Sequence, residues 1–154
     1  MKTVEKMFYG IDRRGDKAVL EYSRKHDFAD QGSLEVDRET IVRAVEQVSQ
    51  RLQLAIELAR KNIEAFHLSQ REEVQKVETS PGVTCWRESR PIERVGIYVP
   101  GGTAPLFSTV LMLGIPAKLA GCNEIILCTP PNQQGEIHPA ILYAANLVGV
   151  TRVF

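Results

Sequence analysis

The sequence carries no net charge, since 19 Lys and Arg balance 19 Asp and Glu. That balance removes the broad basic field that nucleic acid or an anionic membrane would require. No apolar run reaches membrane-spanning length. The charged start, "MKTVEKMFYGIDRRGDK", lacks the apolar core of a secretory signal. Cysteine is scarce: Cys85, Cys122 and Cys128 form an odd set with no CxxC. The set reads as reduced thiols in a cytoplasmic protein. All three are expected to be structural; Cys122 and Cys128 flank the apolar run "EIIL", where free cysteine packs as a small hydrophobe. The three histidines, His26, His67 and His138, form no HxxxH, no HxxE and no cluster of zinc spacing, so no metal site is expected in this chain. The dinucleotide fingerprint GxGxxG is absent as well.

What is present suits a globular protein. The 154 residues are 44% apolar and 25% charged, enough for one domain or a domain and a half with a sizeable core. The first eighty residues read as helical. "TVEKMFYGIDRRG" ends at Gly15, a common residue just past a helix, and Asp16 is expected to cap "DKAVLEYSRKHDF". Arg14-Gly15-Asp16 spells an adhesion tripeptide, but its place between two helices makes it a C-cap and an N-cap. Asp37 opens a third helix with Ile41, Val45 and Val48 on one face. Ser49 opens a fourth, in which Leu52, Ile56, Ala59, Ile63 and Phe66 form an amphipathic stripe. That stripe is a core face or a subunit contact. It fades in the polar run "SQREEVQKVETS", and "SPGV" marks a turn.

After the turn the pattern changes. "VTCWRES" alternates like a strand, and "RVGIYV" is a short branched run typical of a buried strand, stopped by Pro100. "PLFSTVLMLGIPAKLAG" reads as a helix capped by Gly121, with Pro116 expected to kink or break it. "NEIILCTPP" is a second buried strand. "GEIHPAILYAANLVG" is a helix with Ile141, Ala145 and Val148 on one side, and "VTRVF" begins a third strand. The β-α-β-α-β order predicts an α/β fold with a parallel sheet and crossover helices. The expected division is a mostly helical segment over 1–90 and the opening of an incomplete Rossmann-like domain over 91–154. An apolar strand at the end of the sequence gives the expectation of a truncated longer protein, with one face of its sheet uncovered.

The turn Pro100-Gly101-Gly102-Thr103-Ala104-Pro105 joins the first strand to its helix. Glycines between strand and helix let backbone approach an anion, and amides at a helix start favour it. Spacing alone leaves two readings, a phosphate-binding turn or a plain tight turn. Tyr98 stands at the carboxyl end of the strand, where open parallel sheets bind ligands. It is either a stacking and hydrogen-bonding residue or a half-buried strand tyrosine.

The string "RVGIYVPGGTAPLFSTVLMLGIPAKLAGCNEIILCTPP" closely resembles the histidinol dehydrogenase family. Upstream, "RRGDKAVLEYSRKHD", "RKNIEAFHLSQ" and "SPGVTCWRESRPIERVG" resemble it in the same order, so the likeness covers nearly the whole chain. The resemblance implies an enzyme that oxidises L-histidinol to L-histidine in two hydride transfers to NAD. It also implies a zinc that holds the substrate, histidine and glutamate acid-base groups, and an intertwined homodimer with incomplete Rossmann-like domains. It implies that Tyr98 contacts NAD, with Gly101 and Gly102 supporting the turn. Family members are much longer and carry their zinc ligands and acid-base pair beyond the point matching Phe154. The resemblance therefore implies no catalytic and no metal residue in this chain, and no activity of the chain alone. Their segment before Lys2 has no counterpart here. Two alternatives are a relative of the aldehyde dehydrogenases, which share an "RP-hydrophobic-G" strand, and a non-catalytic assembly module. The "PGGTAP" turn favours histidinol dehydrogenase over the first of these.

Overall fold

The computed structural model describes residues 2–26, 32–102, 104–132 and 134–154. Asp27 and Phe28, at the end of the second helical stretch, and Thr103, in the turn, lie outside the described residues.

Four helices come first: α1 (Lys2–Arg14), α2 (Asp16–His26), α3 (Arg38–Gln47) and α4 (Gln50–Leu68). Gly15 separates α1 from α2 at φ +56°, a left-handed conformation that glycine adopts without a Cβ penalty. Its carbonyl accepts the amides of Ala18 and Val19, so Asp16 lies one residue inside α2 rather than capping it. There its carboxylate still faces the positive end of the helix dipole. Asp37 caps α3 by accepting the Thr40 amide at 2.7 Å, and Ser49 caps α4 by accepting the Leu52 amide at 3.4 Å. These are the caps that the sequence predicts.

A hairpin follows, β1 (Lys76–Ser80) with β2 (Val83–Trp86), turning at Gly82 with φ +80°. The sequence reading missed β1. Every residue of the hairpin strands is exposed, so burial imposes no alternation on their sequence.

The remaining elements are β3 (Arg94–Tyr98), α5 (Phe107–Ala120), β4 (Glu124–Cys128), α6 (Pro139–Val148) and β5 (Arg152–Val153). The strands form a parallel sheet in the order β3-β4-β5. Two like-handed crossovers between sequential strands put α5 and α6 on the same face. Ile97, Val99, Ile125, Leu127 and Val153 are buried toward those helices. The alternate residues Gly96, Tyr98, Cys128 and Arg152 are exposed, so the second face is open among the described residues. That matches the expectation of an uncovered face.

Helices α3 and α4 pack on α6 and α5 respectively. One core runs through all three layers, from Ile41, Ala44 and Ile56 through Val110 and Val148 to Leu127. Each fully buried aliphatic side chain of this kind contributes about 1.5–3 kcal/mol.

Several expectations change in detail. Leu52, Ile56, Ala59 and Ile63 of the α4 stripe join the core, whereas Phe66 is 62% exposed. Helix α4 has 19 residues and α5 has 14. The longer helix therefore exceeds its partner by about 7 Å. Helix α5 runs unbroken through Pro116. The carbonyl that loses a donor there is that of Met112, a half-exposed residue. Cys122 packs against the core, but Cys85 and Cys128 are exposed. Cys85 lies on the exposed hairpin and Cys128 on the open face of the sheet, so neither packs as a core hydrophobe.

Candidate functional site

The carboxyl edge of the parallel sheet is where strand geometry and turn chemistry meet. Tyr98 ends β3 on the open face and is 62% exposed. Its register partner on β4 is Cys128, also exposed. Beyond them the Val99 amide donates to the Cys128 carbonyl at 3.0 Å, and the Thr129 amide donates to the Phe154 carbonyl at 2.9 Å. The strands thus stay paired up to their last residues, and both then leave through proline: Pro100 on one, Pro130 and Pro131 on the other.

The two glycines of the turn differ. Neither has a positive φ, so backbone conformation does not demand glycine at either position. A Cβ on Gly101 would lie 2.8 Å from Cγ of Pro130, too close for any side chain. A Cβ on Gly102 would meet nothing within 4 Å among the described residues. Gly101 is closed by the neighbouring loop, and Gly102 is open among the described residues.

Helix α5 begins beside this turn. Leu106 holds its cap position and makes no side-chain cap bond, so the first-turn amides lack the cap that α3 and α4 have. The second loop is tighter. Asn132 accepts the amides of Gln134 and Glu136 at 3.0 and 2.8 Å through Oδ1. His138 caps α6, its Nδ1 accepting the Ala140 amide at 3.1 Å. An exposed aromatic ring, an unobstructed glycine and an uncapped helix start thus share one edge. That combination can stack a base and approach an anion.

The sequence reading placed Tyr98, Gly101 and Gly102 at this edge, and they lie there together. It missed Cys128 and Pro130, which parallel pairing brings alongside. A signal was available: "RVGIYVPG" and "EIILCTPP" are matched in length, and aligning them sets Tyr98 against Cys128 and Pro100 against Pro130.

The histidines are scattered. His26 ends α2, His138 caps α6, and His67 lies in the last turn of α4 with Nδ1 2.7 Å from Oε1 of Gln70. Among the described residues no group of three or more His, Cys, Asp or Glu could hold a metal ion. These donors do not fit a zinc site. A separate cleft of about 1350 Å³ lies between the β1–β2 hairpin and the ends of α4 and α5, lined in part by His67, Cys85, Trp86, Arg90 and Pro116. It is remote in the fold from Tyr98. Its walls are largely exposed polar side chains, some already paired, as Arg87 is with Glu72. The strand edge has the better-defined chemistry.

The histidinol dehydrogenase family model, described as "Histidinol dehydrogenase", matches residues 1–154. The chain is similar to the histidinol dehydrogenase of Bacteroides thetaiotaomicron, with 55% identity over 152 residues, 99% of this chain and 36% of the relative. It is 48% identical over 153 residues to that of Shigella boydii, again 99% of this chain and 34% of the relative. Among solved structures, the crystal structure of histidinol dehydrogenase from Elizabethkingia anophelis matches with a TM-score of 0.95 and 53% identity, covering 99% of this chain and 35% of that one. The chain thus spans about a third of the length of these relatives. The chain belongs to the histidinol dehydrogenase family and corresponds to its N-terminal portion.

Proposed function

We propose that this chain supplies the opening NAD-binding half-sheet of an enzyme that oxidises L-histidinol to L-histidine. The observation that carries the reading is the exposed Tyr98 ring beside the unobstructed Gly102 at the carboxyl edge of a parallel sheet. NAD, when bound, accepts the hydride. The Tyr98 ring offers a face for stacking and a hydroxyl for hydrogen bonding. Gly102 gives backbone access, Gly101 supports the turn, and the first-turn amides of α5 favour a phosphate.

The zinc that the family implies has no donor set among the described residues, and no step is derived through it. The described residues serve the cofactor side of the reaction. The helical segment over 1–90 and the sheet segment over 91–154 form two proposed units that share one core. A cytoplasmic homodimer belongs to the same reading. Exposed Val4, Phe8 and Ile11 along α1, and Leu54 and Leu58 along α4, are apolar surface that a partner would cover. The assembly-module alternative is compatible with this reading, since the chain by itself is expected to assemble without turning over substrate.

The test is NADH formation from L-histidinol, with zinc present, by a full-length enzyme that contains this segment. The expected result is two NADH for each L-histidinol consumed, and none from the 154-residue chain alone. Turnover by the isolated chain at the full-length rate, or a full-length enzyme inactive on L-histidinol, would sink the reading.

A further inference from the structure

We infer that Pro130 is a positioning residue for the cofactor-binding turn, and that Gly101 is glycine in order to admit Pro130 rather than the ligand. The inference rests on the reading that NAD binds at this edge, and it assigns a role to a residue on the second strand's loop.

Glycine is required in a turn for one of three reasons: a positive φ, a close approach by the protein itself, or a close approach by a ligand. Gly101 has no positive φ, and a Cβ there would stand only 2.8 Å from Cγ of Pro130. The close approach at Gly101 is therefore internal. At Gly102 the described residues give neither reason, and that position is assigned to the ligand.

The contact joins the two loops that leave the sheet at its carboxyl edge. Pairing of Tyr98 with Cys128, and the Val99 amide bond to the Cys128 carbonyl, bring both loops to the same level. Proline fixes φ near −65° and restricts the residue before it. Val99 precedes Pro100, and Thr129, itself buried, precedes Pro130, so both chains leave in set directions. Pro130 then presents a rigid ring edge to the flat face of Gly101. A turn held this way is ordered before the ligand arrives, and the ordering cost is not charged against binding.

The test is a double-substitution cycle in the full-length enzyme, read as separate NAD and L-histidinol titrations with the fold checked by thermal melting. Gly101→Ala puts a methyl 2.8 Å from Cγ of Pro130, and should weaken NAD binding roughly tenfold while leaving L-histidinol binding unchanged. Pro130→Ala leaves only a Cβ, 3.7 Å from the new methyl, an ordinary contact. In the Pro130→Ala background, Gly101→Ala should therefore change NAD affinity by no more than about twofold. Pro130→Ala alone should weaken NAD binding several-fold by loosening the turn. Wild-type NAD affinity in Gly101→Ala, or an equal loss in both backgrounds, would overturn the inference. If Gly101→Ala does not fold, Pro130→Ala decides alone, because it takes away the ring that meets Gly101 and adds no heavy atom: unchanged NAD affinity would refute the positioning role. Tyr98→Ala run in parallel separates the two levels. Weak NAD binding there with normal binding in the Pro130 and Gly101 variants rejects the positioning role and keeps the site. Normal binding in all of them rejects the site.

Discussion

The hydroxyl of Tyr143 on α6 donates to the carboxylate of Glu57 on α4 across 3.2 Å, joining residues 86 positions apart. Tyr143 is buried, and it ties the layer of helices on the sheet to the outer helical layer. Its phenol is held above the ordinary tyrosine range, mainly because burial disfavours the phenolate and further because Glu57 is negative. Tyr143→Phe keeps the ring and leaves the Glu57 carboxylate without this donor. It should lower stability by about 0.5–1.5 kcal/mol in urea unfolding. A raised folded-state pKa stabilises below the unfolded value and loses that contribution as pH rises through the folded one. The wild-type chain should therefore lose stability above about pH 10, and Tyr143→Phe should lose less there. Parallel pH profiles for the two proteins would contradict the assignment.

On the acid side the relevant pair is Glu35 and Arg152, a two-pronged ion pair with both contacts at 2.8 Å. The hydrogen bonds from Arg152, outweighing some desolvation, hold the Glu35 carboxyl below its ordinary range. Asp37, two residues on, is lowered by hydrogen bonds from the amide and hydroxyl of Thr40. Lowered carboxylates stabilise above their unfolded pKa and lose that contribution as pH falls through the folded value. Both act on the segment that the Val36 amide pins to the Val153 carbonyl of β5. Glu35→Gln should be less stable than wild type at neutral pH and should flatten the loss of stability below about pH 4.5. Acid unfolding followed by circular dichroism measures both. An unchanged acid slope would show that the pair does not report on folding.

Helices α5 and α6 approach closely at one glycine. A Cβ on Gly114 would meet Cγ2 of Val148 at 2.5 Å and its Cβ at 3.2 Å. Gly114 should therefore resist alanine, in spite of the better helix propensity of alanine. Gly114→Ala should cost about 1–3 kcal/mol through overpacking, and Val148→Ala in the same chain should recover part of that loss. Denaturant midpoints of the two single variants and the double variant test the contact. Additive losses would show that the helices accommodate the methyl elsewhere.

Much of this fold is legible in the sequence because burial leaves a period. The branched runs of β3 and β4, the apolar faces of α3 and α6, and the caps at Asp37, Ser49 and Gly121 follow local rules that tertiary structure does not override. Where burial is absent the period is too, so the exposed strand β1 passed for a polar loop. Pro116 breaks the rule that proline ends a helix, because packing against α4 and α6 holds α5 continuous through it. At the candidate site, the strand-end place of Tyr98 was legible, though position alone left its role open. The difference between Gly101 and Gly102 was not, because it depends on Pro130, brought in from 29 positions away by the pairing of β3 with β4.

The most direct test of the central claim is NAD titration of Tyr98→Phe and Tyr98→Ala in the full-length enzyme, beside L-histidinol titration and a thermal melt. Tyr98 is 62% exposed, so neither substitution disturbs a core. Loss of the hydroxyl should weaken NAD binding several-fold, about 0.5–1.5 kcal/mol. Loss of the ring should cost more, since stacking on an aromatic contributes a further 1–3 kcal/mol or so per base. L-histidinol affinity should hold in both variants. A Tyr98→Ala enzyme that melts like wild type and binds NAD with wild-type affinity would contradict the account and leave Tyr98 an ordinary strand residue.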